Sequence, residues 1–258
     1  MDLRHLTFEV SVDQVAVVTL DKPPVNALGL LIRESLLRVF DALHDRDDVR
    51  AVVLTGGGGT FCAGADIKEK REIDGEPGAY PAANRLIREA FYCIRDCGHP
   101  VIAAVNGPAI GAGMVMAACC DIVLASETAF FSMPEIDVGL AGGAALLQRV
   151  LPASKIRRML LTGDRVPAAE MHRLGWVEEC VAGTALLPRA ISLARHIATK
   201  SPVALRDIKR SFGLVESLPA REGMRLEQEM TARLSRSDDA REAQAAFLEK
   251  RAPVFRGT

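Results

Sequence analysis

The spacing of apolar and polar positions changes along the chain and marks out its elements. Residues 8 to 11 and 15 to 20 are short runs rich in β-branched side chains, the pattern of a hairpin-like strand pair. Asp21-Lys22-Pro23-Pro24 interrupts it, and Leu30, Leu31, Leu36, Leu37, Phe40 and Leu43 then recur at spacings close to one helical face. That helix is expected to end in the solvated run 44 to 48. Residues 49 to 55 (VRAVVLT) are almost continuously apolar, as in a parallel strand covered on both faces. No Gly-Lys-Ser/Thr follows the glycines 56 to 59, so a flexible turn is expected there and not a phosphate loop.

In Phe61-Cys62-Ala63-Gly64-Ala65-Asp66-Ile67-Lys68, small residues sit where a strand gives way to a helix, which permits close backbone approach to a ligand. Gly75, Pro77, Gly78 and Pro81 predict an irregular, mobile segment over 71 to 83 that covers a pocket, followed by a helix from about 84 to 97. Next comes a strand over 101 to 105, a turn at Asn106-Gly107-Pro108, and Gly111-Ala112-Gly113 opening an apolar helix that runs to Cys120. Residues 101 to 120 carry no charge over a length that could span a bilayer. The Asn-Gly-Pro turn in their middle would leave unpaired backbone groups in lipid, so a buried strand and a buried helix are expected instead.

A second strand is expected over 121 to 125, helices over 142 to 151 and 153 to 162, a short helix from Pro167 to Gly175, and a last strand over 176 to 181. From Leu186 onward the pattern is wholly helical, broken near Ser201-Pro202 and Ser217-Leu218-Pro219. Strands alternating with helices, then helices alone, make an α/β core (1 to 194) with a helical tail (195 to 258). The tail is amphipathic and charged, suited to a lid on its own core or a docking surface for a second subunit.

Composition narrows the function. The 258 residues hold 32 basic and 33 acidic side chains, a net charge of −1, so no chain-wide field recruits nucleic acid or an anionic membrane. The N-terminal MDLRHLTFEV lacks the pattern of a signal peptide. Six cysteines in a chain of this length need no disulfide framework, and their spacings match no zinc site, so a cytoplasmic protein with reduced thiols and no bound metal is expected.

Three features suggest chemistry. Gly111-Ala112-Gly113 lacks the third glycine of a dinucleotide fingerprint, so NAD binding is not expected. Its glycines serve either simple close packing or a helix start at which the Ala112 N–H helps polarise a carbonyl. Glu135, in an apolar run, is either a cap or edge residue or a partly desolvated carboxylate that moves protons near neutral pH. Asp137, two residues on, points away from it. His99 has no nucleophile nearby and reads as structural.

In combination, Phe61-Cys62-Ala63-Gly64-Ala65-Asp66-Ile67, Ala104-Val105-Asn106-Gly107, Gly111-Ala112-Gly113, Cys120-Asp121-Ile122, Phe131 to Glu135 and Leu161-Thr162-Gly163 resemble the crotonase superfamily, the enoyl-CoA hydratase/isomerase family, over essentially the whole chain. The resemblance implies a spiral core of repeated ββα units, and C-terminal helices that build a homotrimer or a hexamer of paired trimers. It also implies an acyl-CoA thioester substrate, coenzyme A being part of that substrate, with no separate cofactor. An enolate would be held by the N–H groups of Ala65 and Ala112, with Glu135 as the acid/base. Asn26, Ala27, Ala63, Gly64, Asp66, Ile67, Lys68 and Gly111 would lie along the CoA ester.

The chain departs from the family pattern at two positions. Val115 stands where well-known hydratases have a first catalytic glutamate, and Gly143 where dienoyl-CoA isomerases have an aspartate. Hydration is most easily shared by two carboxylates, whereas moving a proton between C2 and C4 needs one base, so double-bond isomerisation is expected ahead of hydration. Decarboxylation, thioester hydrolysis and a non-catalytic acyl-CoA-binding role are the remaining alternatives.

Overall fold

The computed structural model describes residues 3–73 and 75–258. Strands β1 (Leu6–Val10) and β2 (Val15–Leu20) form the antiparallel hairpin, starting two residues earlier than the β-branched pattern suggests. Helix α1 (Leu30–His44) leads to β3 (Ala51–Gly56), and helices α2 (Ile67–Glu72) and α3 (Ala79–Arg95) lead to β4 (Val101–Val105). Then come β5 (Ala109–Ile110), α4 (Ala112–Ala118), β6 (Ile122–Ser126), β7 (Phe130–Ser132) and a 3-10 turn over Pro134–Val138. Helices α5 (Ala144–Val150) and α6 (Ala153–Thr162), strand β8 (Val166–Pro167) and helix α7 (Ala168–Arg173) lead to β9 (Glu179–Val181). Four helices close the chain: α8 (Gly183–Ala198), α9 (Pro202–Val215), α10 (Ala220–Leu234) and α11 (Asp238–Glu249).

The large sheet runs β1-β2-β3-β4-β6-β9, parallel from β2 onward, and the small one runs β5-β7-β8. After β2, β3, β4 and β6 the chain touches a second layer before entering the next helix, whereas β9 passes directly into α8. Leu28 follows β2 and bridges Ala65; Cys62 follows β3 and bridges Ala109; β5 follows β4 and pairs with β7, which itself follows β6. This is a spiral of ββα turns, and it stacks successive strand-to-helix junctions side by side.

Burial on both faces explains the unbroken apolar strands. Along β3, Ala51 and Val53 pack toward Leu186, Ala190 and Ala194 of α8, while Val52 and Leu54 face the core formed with Ile32, Leu36 and Phe40 of α1. Residue 194, the end of the core expected from sequence, lies inside α8. The charge-free stretch 101 to 120 is a buried strand, turn and helix, and no helix among the described residues is long and apolar enough to cross a membrane.

Some boundaries differ from the sequence pattern. Leu36, Phe40 and Leu43 are buried as expected, but Leu30 and Leu31 are exposed, and Ile32 and Val39 complete the buried face of α1. The irregular segment is shorter than 71 to 83, because α2 continues to Glu72 and α3 already begins at Ala79; residue 74 lies outside the described residues. Pro81 falls in the first turn of α3, where its missing N–H costs no helical bond. Trp176 and Val177 are buried but precede β9. The tail is not wholly helical: residues 252 to 258 form no regular element and run back past the start of α11, with Asp239 accepting from the Arg256 N–H and Arg50 donating to the Phe255 carbonyl. Lys209 anchors α9 through Asp121 Oδ2 and the carbonyl of His99, each at 2.8 Å.

Candidate active site

The turn after β3 is shaped by its bridge to the segment before α1. Leu28 donates to the Gly64 carbonyl at 2.8 Å and accepts from the Asp66 N–H at 3.4 Å, so the Ala65 N–H points away from this pairing. Gly64 has φ +92°, and a β-carbon there would lie 2.8 Å from the Ile110 carbonyl oxygen and 3.6 Å from the Ala112 nitrogen. The turns that carry Ala65 and Ala112 are therefore neighbours, as β3 and β4 are in the sheet.

Ala112 is the first residue of α4, where no preceding helical carbonyl takes its N–H. Gly113 packs so tightly on Cys62 that a β-carbon would meet the Cys62 carbonyl at 2.3 Å. Close packing accounts for Gly113, and among the described residues no backbone hydrogen bond from the Ala112 N–H to a turn or loop is found. Gly111, at φ +53°, donates to the Ser132 carbonyl at 2.8 Å and joins α4 to the small sheet.

Glu135 sits in the 3-10 turn after β7, half-buried. Its Oε1 lies over the α-carbon of Gly111, where a β-carbon would be only 2.2 Å away. Its Oε2 is buried without a hydrogen-bond partner among the described residues. Burial pushes the carboxyl above its ordinary pKa. Asp137 is exposed and lies instead against Gly163. Val115, 5% exposed, meets Gly143 and Met133: a β-carbon on Gly143 would lie 3.1 Å from Val115 Cγ2 and 2.7 Å from Met133 Cε. The two positions at which the chain departs from the family pattern thus share one apolar wall.

Residues 11–258 match the family model described as enoyl-CoA hydratase/isomerase. The chain belongs to the enoyl-CoA hydratase/isomerase family, in the crotonase superfamily. Among its relatives, it is 36% identical over 236 residues to a methyl-dioxo-hexahydro-indene-carboxyl-CoA hydrolase of Mycobacterium tuberculosis, covering 92% of this chain and 95% of that one. It is 33% identical to the carnitinyl-CoA dehydratase of Proteus mirabilis, covering 98% of each. Its fold is similar to the crystal structure of an enoyl-CoA hydratase from Bacillus anthracis, with TM-score 0.94 at 28% identity over 99% of this chain and 100% of that one.

Other residues suggested by the family pattern sit around the first turn. The Ala63 N–H donates to the Val25 carbonyl at 3.0 Å, and Ala27 is half-buried with its carbonyl accepting from Gly29. Ile67 and Lys68 are exposed in the first turn of α2, beside Ala65. Asp66 caps α2 and pairs with Lys22 Nζ at 2.8 Å, and that hydrogen bond holds its carboxyl below the usual range. The Asn26 side chain is committed to structure. It is buried at φ +53°, with Nδ2 donating to the Gly57 and Thr60 carbonyls and Oδ1 accepting from the Lys22 N–H.

The glycine loop 56 to 59 is therefore not the free turn that its composition suggests. Asn106 holds it as well, accepting from the Gly56 N–H and donating to the Gly58 carbonyl. Glu69, which the sequence pattern did not single out, caps α1 by accepting from the Leu30 N–H at 2.6 Å. The one local hint is the Asp66-x-x-Glu69 spacing of a capping box, but here the glutamate serves a different helix. His99 is structural: buried, with Nε2 2.8 Å from the Leu43 carbonyl and its pKa lowered by burial to about 4. A cleft of about 1230 Å3 between α9 and the ends of α1, α3 and α4 includes neither Glu135 nor the two donor turns.

Proposed function

We propose that this family member isomerises the double bond of an enoyl-CoA thioester, with Glu135 as its single acid/base. The thioester oxygen accepts from the N–H groups of Ala65 and Ala112, which stabilise the enolate formed when Glu135 removes a C2 proton. The same carboxyl returns the proton at C4, moving the double bond from C3 to C2. A preorganised donor of this kind contributes about 10²- to 10³-fold in rate, and a positioned acid/base about 10²- to 10⁴-fold.

The observation that carries the reading is the pairing of a Glu135 Oε2 that has no hydrogen-bond partner among the described residues with an apolar Val115, Gly143 and Met133 wall where a second acid would stand. A carboxyl whose charged form is partly desolvated is poised to exchange protons nearer neutral pH. Coenzyme A enters with the substrate, along Ala63, Gly64, Asp66, Ile67, Lys68, Gly111 and the backbone near Asn26 and Ala27, and no further cofactor takes part. The tail from residue 195 builds a homotrimer or a pair of trimers, a reading supported by exposed Phe212, Met224, Phe247 and Leu248. Six free cysteines fit a reducing, cytoplasmic setting.

A second reading is hydration of a 2-enoyl ester, or its reversal, favoured by full-length similarity to a carnitinyl-CoA dehydratase. Turnover of matched 3-enoyl and 2-enoyl esters, followed by mass, separates the two. Isomerisation converts the 3-enoyl ester without mass change, and hydration adds one water to the 2-enoyl ester.

A further inference from the structure

We propose that Ser132 is a positioning residue that sets the gap between Glu135 and the Ala112 N–H by tying both to the end of α6. The inference rests on the reading of those two groups as base and oxyanion donor. Ser132 closes β7, is 3% exposed, and is held on two sides. Its carbonyl accepts from the Gly111 N–H at 2.8 Å, which fixes the residue preceding Ala112. Its hydroxyl donates to the Gly163 carbonyl at 2.8 Å, across 31 positions of sequence.

Gly163 in turn supports the other half of the site. It closes α6 in the left-handed region, φ +68°, with its N–H on the Met159 carbonyl. A β-carbon there would come within 3.3 Å of the Pro134 α-carbon and 3.0 Å of Asp137 Oδ2. The 3-10 turn that presents Glu135 therefore rests on the residue that Ser132 grips. One serine links the donor turn through its backbone and the carboxyl turn through its side chain.

Placement errors of about 1 Å at a reacting centre cost about 10²-fold in rate, so a link of this kind acts on turnover more than on binding. Ser132→Ala removes the hydroxyl and leaves the Gly163 carbonyl without its buried partner. It is expected to lower kcat about 10-fold with KM within about 2-fold, and Ser132→Thr, which keeps the hydroxyl, is expected to restore most of the loss.

Hydrogen exchange on the free protein reads the link without any substrate. Ser132→Ala is expected to speed exchange in both 109 to 118 and 133 to 141, leaving β3 unchanged, with Ser132→Thr close to wild type. Unchanged exchange, or faster exchange confined to 160 to 166, overturns the proposal whatever the enzyme turns over. If exchange responds as expected but Glu135→Gln retains full turnover, Ser132 still links the two turns and the reading of Glu135 as the base fails.

Discussion

The Glu135 carboxyl lies directly over the α-carbon of Gly111, leaving no room for a side chain between them. Gly111→Ala would push Oε1 off its seat and strain a backbone held at φ +53°. The variant is expected to lose about 10²-fold or more in kcat and about 1–3 kcal/mol of stability. Steady-state kinetics and urea unfolding check the two effects separately. Wild-type kcat in the alanine variant would show that Glu135 does not work from this position.

The apolar wall makes a second prediction. Val115→Glu puts a carboxyl beside Gly143, at the position where the resemblance to hydratases leads one to expect a first catalytic glutamate. The ratio of water addition to isomerisation is expected to rise, and thermal stability to fall, because the new group is buried among apolar atoms. Product mass ratios and a melting curve test this pair of outcomes.

The raised pKa of Glu135 fixes the acid limb of activity. As a base it works only when ionised, so kcat/KM is expected to fall with decreasing pH through a pKa above that of an ordinary glutamate. The same shift has an opposite sign for stability. The folded chain holds this proton more tightly than the unfolded chain, so stability falls as pH rises from the ordinary glutamate pKa through the raised folded one, and levels off above it. Glu135→Gln is therefore expected to be at least as stable as wild type at neutral pH, with the difference shrinking toward acid. Urea unfolding at several pH values measures it.

His99 works in the reverse direction. Its folded pKa, lowered to about 4, lies below the roughly 6.5 of an unfolded histidine, so the unfolded chain binds the extra proton first. Stability is expected to fall as pH drops through that window and to level off below its lower edge. His99→Gln, which can still donate to the Leu43 carbonyl, is expected to flatten the slope without changing kcat. Denaturant midpoints across the window decide it.

What the sequence shows of this site is what is local to it. Gly64, Gly111 and the small residues around them mark tight turns, and Glu135 stands out as a carboxylate in an apolar run; each can be read within a few residues. The neighbours that shape the site cannot. Glu69 reaches back 39 positions to cap α1, Asn26 and Asn106 both pin the glycine loop from distant stretches of the chain, and Ser132 finds Gly163 across 31. Such links depend on how the spiral stacks its turns, and no periodicity records that. Leu30 and Leu31 show the same limit on a helix, because periodicity counts apolar positions but the partner surface decides which are covered.

The most direct test of a single shuttle base is conversion of a 3-enoyl-CoA ester by wild type and Glu135→Gln at neutral pH, with mass and ester binding followed together. The account predicts a 2-enoyl product of unchanged mass from wild type. In the variant it predicts a loss of about 10²- to 10⁴-fold in kcat, with ester affinity within about 3-fold. Turnover that survives in Glu135→Gln, or rapid gain of one water by the 2-enoyl ester in place of isomerisation, would contradict it.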